Sequence, residues 1–169
     1  MDERTRVLLV VNGVGLWITA VLVGWMYFFM LLGKVELFPL IPTIEFRVPG
    51  EARAWNMAHL EGITNGLLLF AVAAVAPLLA LTAPQHRALF WSTVITAWGF
   101  TLPAWANALA GTRGLAFDGG PFAGGLANNI IYLCGWPPVV AVHIVFALML
   151  IGSVRRLRKL QGSGAQAVD

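Results

Sequence analysis

The sequence VLLVVNGVGLWITAVLVGWMYFFMLL, residues 7–32, contains no charged side chain over 26 residues. A helix that crosses the hydrocarbon core of a bilayer needs about 20 mostly apolar residues, because that core is about 30 Å thick. The stretch is longer than the apolar core of a signal peptide, and it lacks a convincing small-residue cleavage site. It therefore predicts a retained transmembrane helix.

Three further stretches along the chain are also long and mostly apolar. They are residues 57–81, 89–110 and 126–151, and Glu61 is their only formally charged residue. We expect Pro103 to break the third stretch and Pro137-Pro138 to interrupt the fourth, because proline removes a helical hydrogen bond. The chain is 59% hydrophobic and only 11% charged, whereas about 25% of the residues in a soluble domain are charged. The sequence predicts an all-α membrane protein: one bundle of four transmembrane helices over residues 1–160.

Charge distribution gives the orientation. Four spans place both termini and the turn 82–88 on one side, with seven Lys and Arg residues against four on the other side. Cationic loops stay in the cytoplasm, so both termini are predicted to be cytoplasmic. The basic run 155–159 is expected to meet anionic headgroups of the lipid bilayer. No basic stripe typical of nucleic-acid binding is present, and the single cysteine, Cys134, excludes an intrachain disulfide.

Two outer loops and a tail complete the predicted organisation. The outer loops cover residues 33–56 and 111–125, and residues 161–169 form a flexible polar tail. The first loop is long and rich in proline, and it contains Phe38, Phe46 and Trp55. We expect this loop to fold onto the outer face of the bundle, because its aromatic side chains need burial.

The second span concentrates polar side chains at membrane depth, where each is costly and therefore a functional candidate. His59 is the strongest candidate, since imidazole is the commonest proximal ligand of haem iron. Gly62 and Gly66 follow at i+3 and i+7, so they share its face and leave space for a flat macrocycle. The same glycines also fit a small-xxx-small pattern of helix packing, in which His59 would bond a carbonyl of the next helix. Both interpretations are open at this point.

The other polar residues favour structural roles. Zinc is a weaker possibility than haem, because it needs three or four clustered ligands and the three histidines are scattered. Glu61 is expected to be protonated or, preferably, paired with Arg53. His143 is expected to bond a neighbouring helix. Asn128 and Asn129 are expected either to cap their helix or form interhelical hydrogen bonds, or to line a pocket.

A family resemblance is carried by residues between Gly33 and Phe122. The matching elements are VELFP at 35–39, IEFRVPG at 44–50, Trp55, Ala58-His59, Asn65-Gly66, Trp98, RGLAF at 113–117 and Phe122. In this combination the chain resembles the styrene oxide isomerases, which are small integral-membrane enzymes of bacterial styrene degradation. Outside this region the likeness is one of hydropathy alone.

The resemblance implies a homotrimer in the bacterial inner membrane that binds haem b. It implies that His59 ligates the ferric iron, with Gly62 and Gly66 beside the cofactor, and that Asn65 is catalytic. The implied reaction is the Meinwald rearrangement. In this reaction the iron acts as a Lewis acid, and an apolar epoxide such as styrene oxide becomes an aldehyde through a 1,2-hydride shift.

The physical chemistry of such a reaction assigns expected roles to several side chains. The amide of Asn65 would donate to the opening alkoxide. The faces of Trp98, Phe100 and Trp105 would line the substrate pocket and stabilise a benzylic cation. A dry site matters, because water would trap that cation as a diol.

Two positions depart from the family pattern. Thr96 stands where an aspartate is expected, and Ala104 stands where a tyrosine is expected. The loss of a phenol removes a hydrogen-bond donor and enlarges the pocket. Tyr27 and Tyr132 are the only tyrosines that could replace it.

Two other functions remain open from the sequence. The first is a haem-binding membrane protein without isomerase activity, either a sensor or an electron carrier. An electron carrier would take its second axial ligand from His143 or Met57. The second is an interaction protein that binds no haem.

Overall fold

The computed structural model describes the backbone of residues 1–165 and the side chains of residues 1–162. These residues form five α-helices: α1 (Glu3–Leu32), α2 (Ala52–Val75), α3 (Ala83–Ala110), α4 (Leu126–Cys134) and α5 (Trp136–Ala165). Single 3₁₀ turns cover Ala76–Leu78 and Phe117–Gly119. The described residues contain no β-strand, and only an isolated bridge joins Val35 to Ile44. The all-helical prediction is confirmed.

Three helical segments are long and apolar enough to cross a membrane. They are Glu3–Leu32, Ala52–Leu78 and Leu126–Gly162. Helix α3 has 28 residues but does not reach the same apolar composition. It packs against both α2 and α5, so it belongs to the same bundle. The start of α1, the later part of α5 and the turn between α2 and α3 lie at one end of the bundle, called here the terminal end. The two long loops lie at the other end, called here the loop end.

The prediction that Pro103 breaks its helix is wrong. Helix α3 runs without interruption from Ala83 to Ala110, with Pro103 inside it. Proline is tolerated in membrane helices because neighbouring helices stabilise the disturbed turn. Here α3 and α5 approach closely one turn earlier, where a Cβ built on Gly99 would lie 2.9 Å from Cβ of Pro138.

The fourth predicted span is divided, as its two prolines predict. Helix α4 ends at Cys134, and α5 begins at Trp136, so that Pro137 and Pro138 fall in its first turn. Proline fits there because the first amides of a helix have no intrahelical acceptor. Helix α5 continues to Ala165, beyond the start of the tail predicted at residue 161, and residues 166–169 lie outside the described residues.

Helices α1 and α2 pack through glycines. A Cβ on Gly62 would lie 2.8 Å from Cβ of Ala20, and a Cβ on Gly66 would collide with the indole of Trp17. The Trp17 indole nitrogen donates to the carbonyl of Ile63 at 3.2 Å, which fixes the ring over α2. Close backbone approach of this kind is typical of small-residue faces in membrane helices.

Two apolar clusters form the core. The cluster toward the terminal end contains Leu9, Leu16, Leu69, Val72, Leu89, Ala97 and Val145, all fully buried. The cluster toward the loop end contains Val23, Phe29, Val48, Trp55, Ala58 and Ala108. Along α2, residues 59–65 lie between Ala58, which belongs to the cluster at the loop end, and Leu69, which belongs to the cluster at the terminal end. The polar part of α2 is therefore enclosed by apolar layers above and below.

The expected burial of the loop aromatics is only partly correct. Trp55 is buried, and its indole nitrogen donates to the carbonyl of Pro49 at 2.7 Å. Phe38 is 81% exposed and Phe46 is 51% exposed. The loop forms a short hairpin closed by the Val35–Ile44 bridge, and a two-stranded hairpin cannot bury both of its faces.

The same hairpin carries an ion pair at its base. The Lys34 ammonium lies 2.7 Å from Glu36. Hydrogen bonds from Lys34 and then from Thr43 lower the pKa of the Glu36 carboxyl below its ordinary value.

We predict that Gly62→Ala destabilises the protein by about 1–3 kcal/mol, the usual cost of overpacking a close contact. The added methyl group would meet Ala20, whose backbone cannot move without displacing α1. Gly15→Ala is the matched control, because its Cβ would make an ordinary contact at 3.6 Å with Trp98. Thermal unfolding in detergent measures both variants. Equal stability of the two would contradict the proposed packing constraint.

Candidate functional site on the second helix

His59 is held by a backbone hydrogen bond to α1. Its Nδ1 lies 2.8 Å from the carbonyl oxygen of Ala20. A carbonyl can only accept, so Nδ1 carries the proton, and in the neutral ring Nε2 keeps its lone pair. Within the described residues Nε2 has no hydrogen-bond partner. A histidine whose Nδ1 is fixed in this way presents Nε2 as a ligand, as metal-binding histidines do.

Gly24 makes room for this imidazole. A Cβ on Gly24 would lie 2.8 Å from Cε1 and 2.9 Å from Nδ1 of His59. Gly24 was not predicted from the sequence. Gly13, Ala20 and Gly24 nevertheless share one face of the first span at helical spacing. The small residues on that face could have predicted where α1 meets α2.

The space beside Gly62 and Gly66, expected to hold a macrocycle, is filled by α1 in the described chain. The structure therefore favours helix packing for these two glycines. His59 itself combines both interpretations, since it bonds a carbonyl of the next helix and still leaves one ring nitrogen unpaired.

Asn65 is the centre of a buried polar cluster between α2 and α3. Its amide nitrogen donates to Glu61 Oε2 at 3.0 Å and to Thr101 Oγ1 at 3.1 Å. Thr101 is fully buried and donates in turn to the carbonyl of Ala97 at 2.7 Å. Both amide hydrogens of Asn65 are therefore engaged, so the free donor expected from the sequence is not free in this arrangement. Thr101 was not foreseen, because a threonine inside a helix usually bonds only its own backbone.

The preferred pairing of Glu61 with Arg53 is wrong. Glu61 accepts from Asn65, one turn along the same helix, and no ion pair of Arg53 occurs among the described residues. An i, i+4 contact forms at little entropic cost, because both side chains already share one face of the helix.

His59 and Asn65 face different neighbours. His59 touches α1, whereas Asn65 touches α3. The six residue steps from His59 to Asn65 place the two side chains about 120° apart around the helix, at about 100° per residue. One chain therefore does not direct both side chains at the same point.

The three aromatic pocket candidates do not share one pocket. The indole nitrogen of Trp98 donates to Asn12 Oδ1 at 2.9 Å, so Trp98 lies against α1 toward the terminal end. Phe100 is half-buried. Trp105 lines an apolar cavity of about 790 Å³ at the loop end, between α1 and α3.

The two positions that depart from the family pattern, Thr96 and Ala104, lie in different surroundings in the structure. The Thr96 hydroxyl is buried and has no hydrogen-bond partner among the described residues. Ala104 lines a cavity of about 160 Å³ together with Met57, Asn107 and others. Neither tyrosine is among the residues that line this cavity, and Tyr132 packs against the aromatic rings of Phe117 and Trp136 instead.

Asn128 and Asn129 hold the second long loop in place. Asn128 is 1% exposed, and its Oδ1 accepts from Thr112 Oγ1 at 2.7 Å and from the amide of Gly114 at 3.0 Å. Its Nδ2 donates to the carbonyl of Ala116 at 2.8 Å. Asn129 accepts from the amide of Asp118 and donates to its carboxylate. Neither residue caps its helix, since α4 has no side-chain cap bond; both instead fasten the loop to the start of α4.

The remaining metal candidates lie apart. His143 is exposed on α5, and its Nδ1 bonds the carbonyl of Val139 in its own helix at 2.7 Å, so the expected bond to a neighbouring helix is not found. Met57 lies two residues before His59, about 200° around the helix. In the described part of the chain, no three His, Cys, Asp or Glu side chains converge on a metal-sized site.

The fold and this site define a multi-pass helical membrane protein in which a histidine of α2 lies between apolar layers with one ring nitrogen unpaired among the described residues. Residues 5–154 match the sequence model of the styrene oxide isomerase family, and the chain belongs to that family. The styrene-oxide isomerase of Pseudomonas fluorescens is 29% identical over 148 residues, which cover 83% of this chain and 80% of that protein. The family resemblance drawn from the sequence is thus confirmed.

We predict that Asn128→Ala loosens the second long loop. Thr112 and Gly114 would lose their buried acceptor, and each unsatisfied buried group costs about 1–3 kcal/mol. Hydrogen–deuterium exchange of residues 112–118 measures the effect, with faster exchange expected in the variant. Asn56→Ala is the control, since the Asn56 side chain makes no hydrogen bond among the described residues. Unchanged exchange in Asn128→Ala would contradict the assigned role.

Proposed function

We propose that this protein is a haem-dependent membrane isomerase that converts an aryl epoxide such as styrene oxide to the corresponding aldehyde. The family match over residues 5–154 supports the activity. The reaction is an isomerisation: the benzylic carbon–oxygen bond breaks, a hydride moves from the terminal carbon to the benzylic carbon, and a carbonyl forms. No co-substrate is consumed.

The membrane arrangement is the second part of the proposal. Helix α3 crosses the bilayer with the other three helical segments, because it is 28 residues long and packs between α2 and α5. Four crossings place the termini on the side with the greater number of Lys and Arg residues, which is the cytoplasmic side of a bacterial inner membrane. The loop end then faces outward, and apolar epoxides reach the site from the lipid.

His59 would hold the haem. Its fixed Nδ1, its unpaired Nε2 and the space provided by Gly24 fit a proximal ligand. The donor set also fits, since one imidazole suffices when a porphyrin supplies the other nitrogens. When bound, a ferric haem would supply a Lewis acid that polarises the epoxide oxygen.

Asn65 would bind the substrate oxygen as a hydrogen-bond donor. Its bond to Thr101 is buried, whereas its bond to Glu61 is only partly buried. An epoxide oxygen that enters this crevice would replace Glu61 as acceptor, and Thr101 would keep the amide in position. The apolar layers on both sides exclude water, which strengthens such a bond and prevents hydrolysis.

A homotrimer would bring these two parts together. His59 faces α1 and Asn65 faces α3, so they point in two different directions from α2. In a cyclic assembly, a surface of one subunit meets a different surface of the next. His59 of one subunit would then lie opposite Asn65 of its neighbour, with the cofactor and the substrate between them.

We predict that His59→Ala abolishes haem binding, because no other imidazole lies near this position. Gly24→Ala should weaken haem binding strongly, since its methyl group would displace the ring and break the bond to Ala20. The haem-to-protein ratio after purification, measured from the Soret band, gives the result.

Gly15→Ala is the matched control for Gly24→Ala, as it adds the same methyl group to α1 without a close contact. It should retain the haem content of the unmodified protein. A normal haem spectrum in His59→Ala would refute this site. A protein that never contains haem would refute the cofactor.

We predict that Asn65→Leu lowers kcat for styrene oxide about 10²–10³-fold, the usual loss when one preorganised donor is removed. Its haem content should not change. Thr64→Val is the control, because Thr64 is exposed and bonds only carbonyls of its own helix.

Aldehyde formation is followed by gas chromatography with the oxidised and the reduced protein. Turnover by the oxidised form alone is expected, and equal turnover by both forms would contradict the Lewis-acid role.

A further inference from the structure

A small cavity lies beside Ala104, between α2, α3 and the second long loop. Its volume is about 160 Å³, close to the volume of about 150 Å³ that holds a benzene ring. Its walls also contain Arg53 and Met57 from α2 and Arg113 from the loop. Because Ala104 forms part of the wall, a tyrosine at this position would extend into the space. The cavity therefore depends on the residue by which this chain departs from the family pattern.

The cavity and the polar cluster around Asn65 both lie between α2 and α3. Thr101, which accepts from the Asn65 amide, is three residues before Ala104, or about 4.5 Å along α3. On α2, Met57 lies one turn before Glu61, which also accepts from Asn65. An elongated molecule whose oxygen meets Asn65 therefore has space for its far end beside Ala104.

The side chains around this cavity carry positive charge. Two of the lining residues are arginines, and none is acidic. Arg53 is exposed, and its guanidinium makes no hydrogen bond or ion pair among the described residues. The Arg113 guanidinium lies over the Phe122 ring at 5.3 Å and 3.8 Å from the carboxylate of Glu51. Because the Glu51 side chain is 69% exposed, this ion pair is weak, and both guanidinium groups are available to another anion.

We infer that this cavity binds the carboxylate of an aryl epoxide that carries an anionic group on the ring, opposite the epoxide. Guanidinium groups bind carboxylates through paired, charge-assisted hydrogen bonds. Arg53 and Ala54 also lie in the first turn of α2, where the helix dipole favours a negative charge. The inference rests on the proposed function for the reaction. It adds a class of substrate and two residues, Arg53 and Arg113, that select it.

The position of the cavity suits a charged group. The cavity lies at the loop end, and Thr112, Arg113 and Leu115 of the second long loop form part of its wall. A carboxylate bound there stays close to water, whereas the epoxide at the other end of the ring reaches the apolar layers around Asn65. Because a charge deep in hydrocarbon is costly, such a substrate enters in one orientation only.

Isothermal titration calorimetry tests this inference without turnover. The full chain in phosphatidylcholine nanodiscs is titrated with 4-acetylbenzoate and with 4-acetylbenzamide, which has the same shape and no charge. The acetyl oxygen of both probes replaces the epoxide oxygen. The benzoate should bind about three- to tenfold more tightly, an effect between that of an exposed ion pair and that of a charged hydrogen bond. Equal affinity of the two probes, measured against empty nanodiscs, would overturn the inference.

Four variants locate the bound probe. Arg53→Gln should lower the preference for the benzoate about threefold, and Arg53→Lys, which keeps the charge, should retain it. Arg47→Gln is the matched control, because Arg47 is an exposed arginine of the first loop that does not line this cavity. Ala104→Tyr fills the cavity and should weaken binding of both probes. Equal losses in Arg53→Gln and Arg47→Gln, or normal binding by Ala104→Tyr, would overturn the inference.

Kinetics separate this inference from the proposed function. If the unmodified protein isomerises styrene oxide, it should also isomerise 4-(oxiran-2-yl)benzoate, and Arg53→Gln should raise the ratio of the two KM values, benzoate over styrene oxide. Turnover of styrene oxide without turnover of the benzoate would overturn the inference alone. If the unmodified protein isomerises no epoxide, the proposed function fails, and the calorimetric titration still decides whether the cavity binds a carboxylate.

Discussion

The close contact between α1 and α2 is the constraint on which the site depends. Gly62 and Gly66 bring the two backbones together, and Gly24 leaves the recess that the His59 ring occupies. In lipid there is little hydrophobic drive between helices, so association relies on close packing and on interhelical hydrogen bonds. The bond from His59 to Ala20 supplies one such hydrogen bond. The packing of the two helices and the orientation of the imidazole are therefore one structural feature.

In this arrangement α2 has two functional surfaces, one toward α1 and one toward α3. The surface toward α1 fixes a ring nitrogen with an unused lone pair, and the surface toward α3 fixes an amide through Thr101. Neither surface needs the other in order to fold. A reaction that needs an electrophile and a hydrogen-bond donor at one oxygen requires both surfaces to meet. In the proposed homotrimer, neighbouring subunits would complete each site.

Long-range patterns in the sequence predicted the structure better than single contacts did. Hydropathy predicted the helices, and the resemblance around His59 and Asn65 predicted the family. The break at Pro103 was predicted from a local rule that neighbouring helices overrule. The partners of Glu61 and His143 were also wrong, because both side chains bond within their own helices, where the entropic cost is smaller. Gly24 and Thr101 were missed, since their roles depend on which helices become neighbours.

The loop end of α3 shows how neighbouring positions in one helix serve different purposes. Ala104 and Trp105 are adjacent in sequence and about 100° apart around the helix. Ala104 faces a small cavity beside α2, and Trp105 faces the large cavity beside α1. A phenol absent at the first position is not replaced there by either tyrosine of the chain. The polar side chains that line the Ala104 cavity are instead those of Arg53, Asn107, Thr112 and Arg113, so hydrogen-bond donors at this level come from residues of other types.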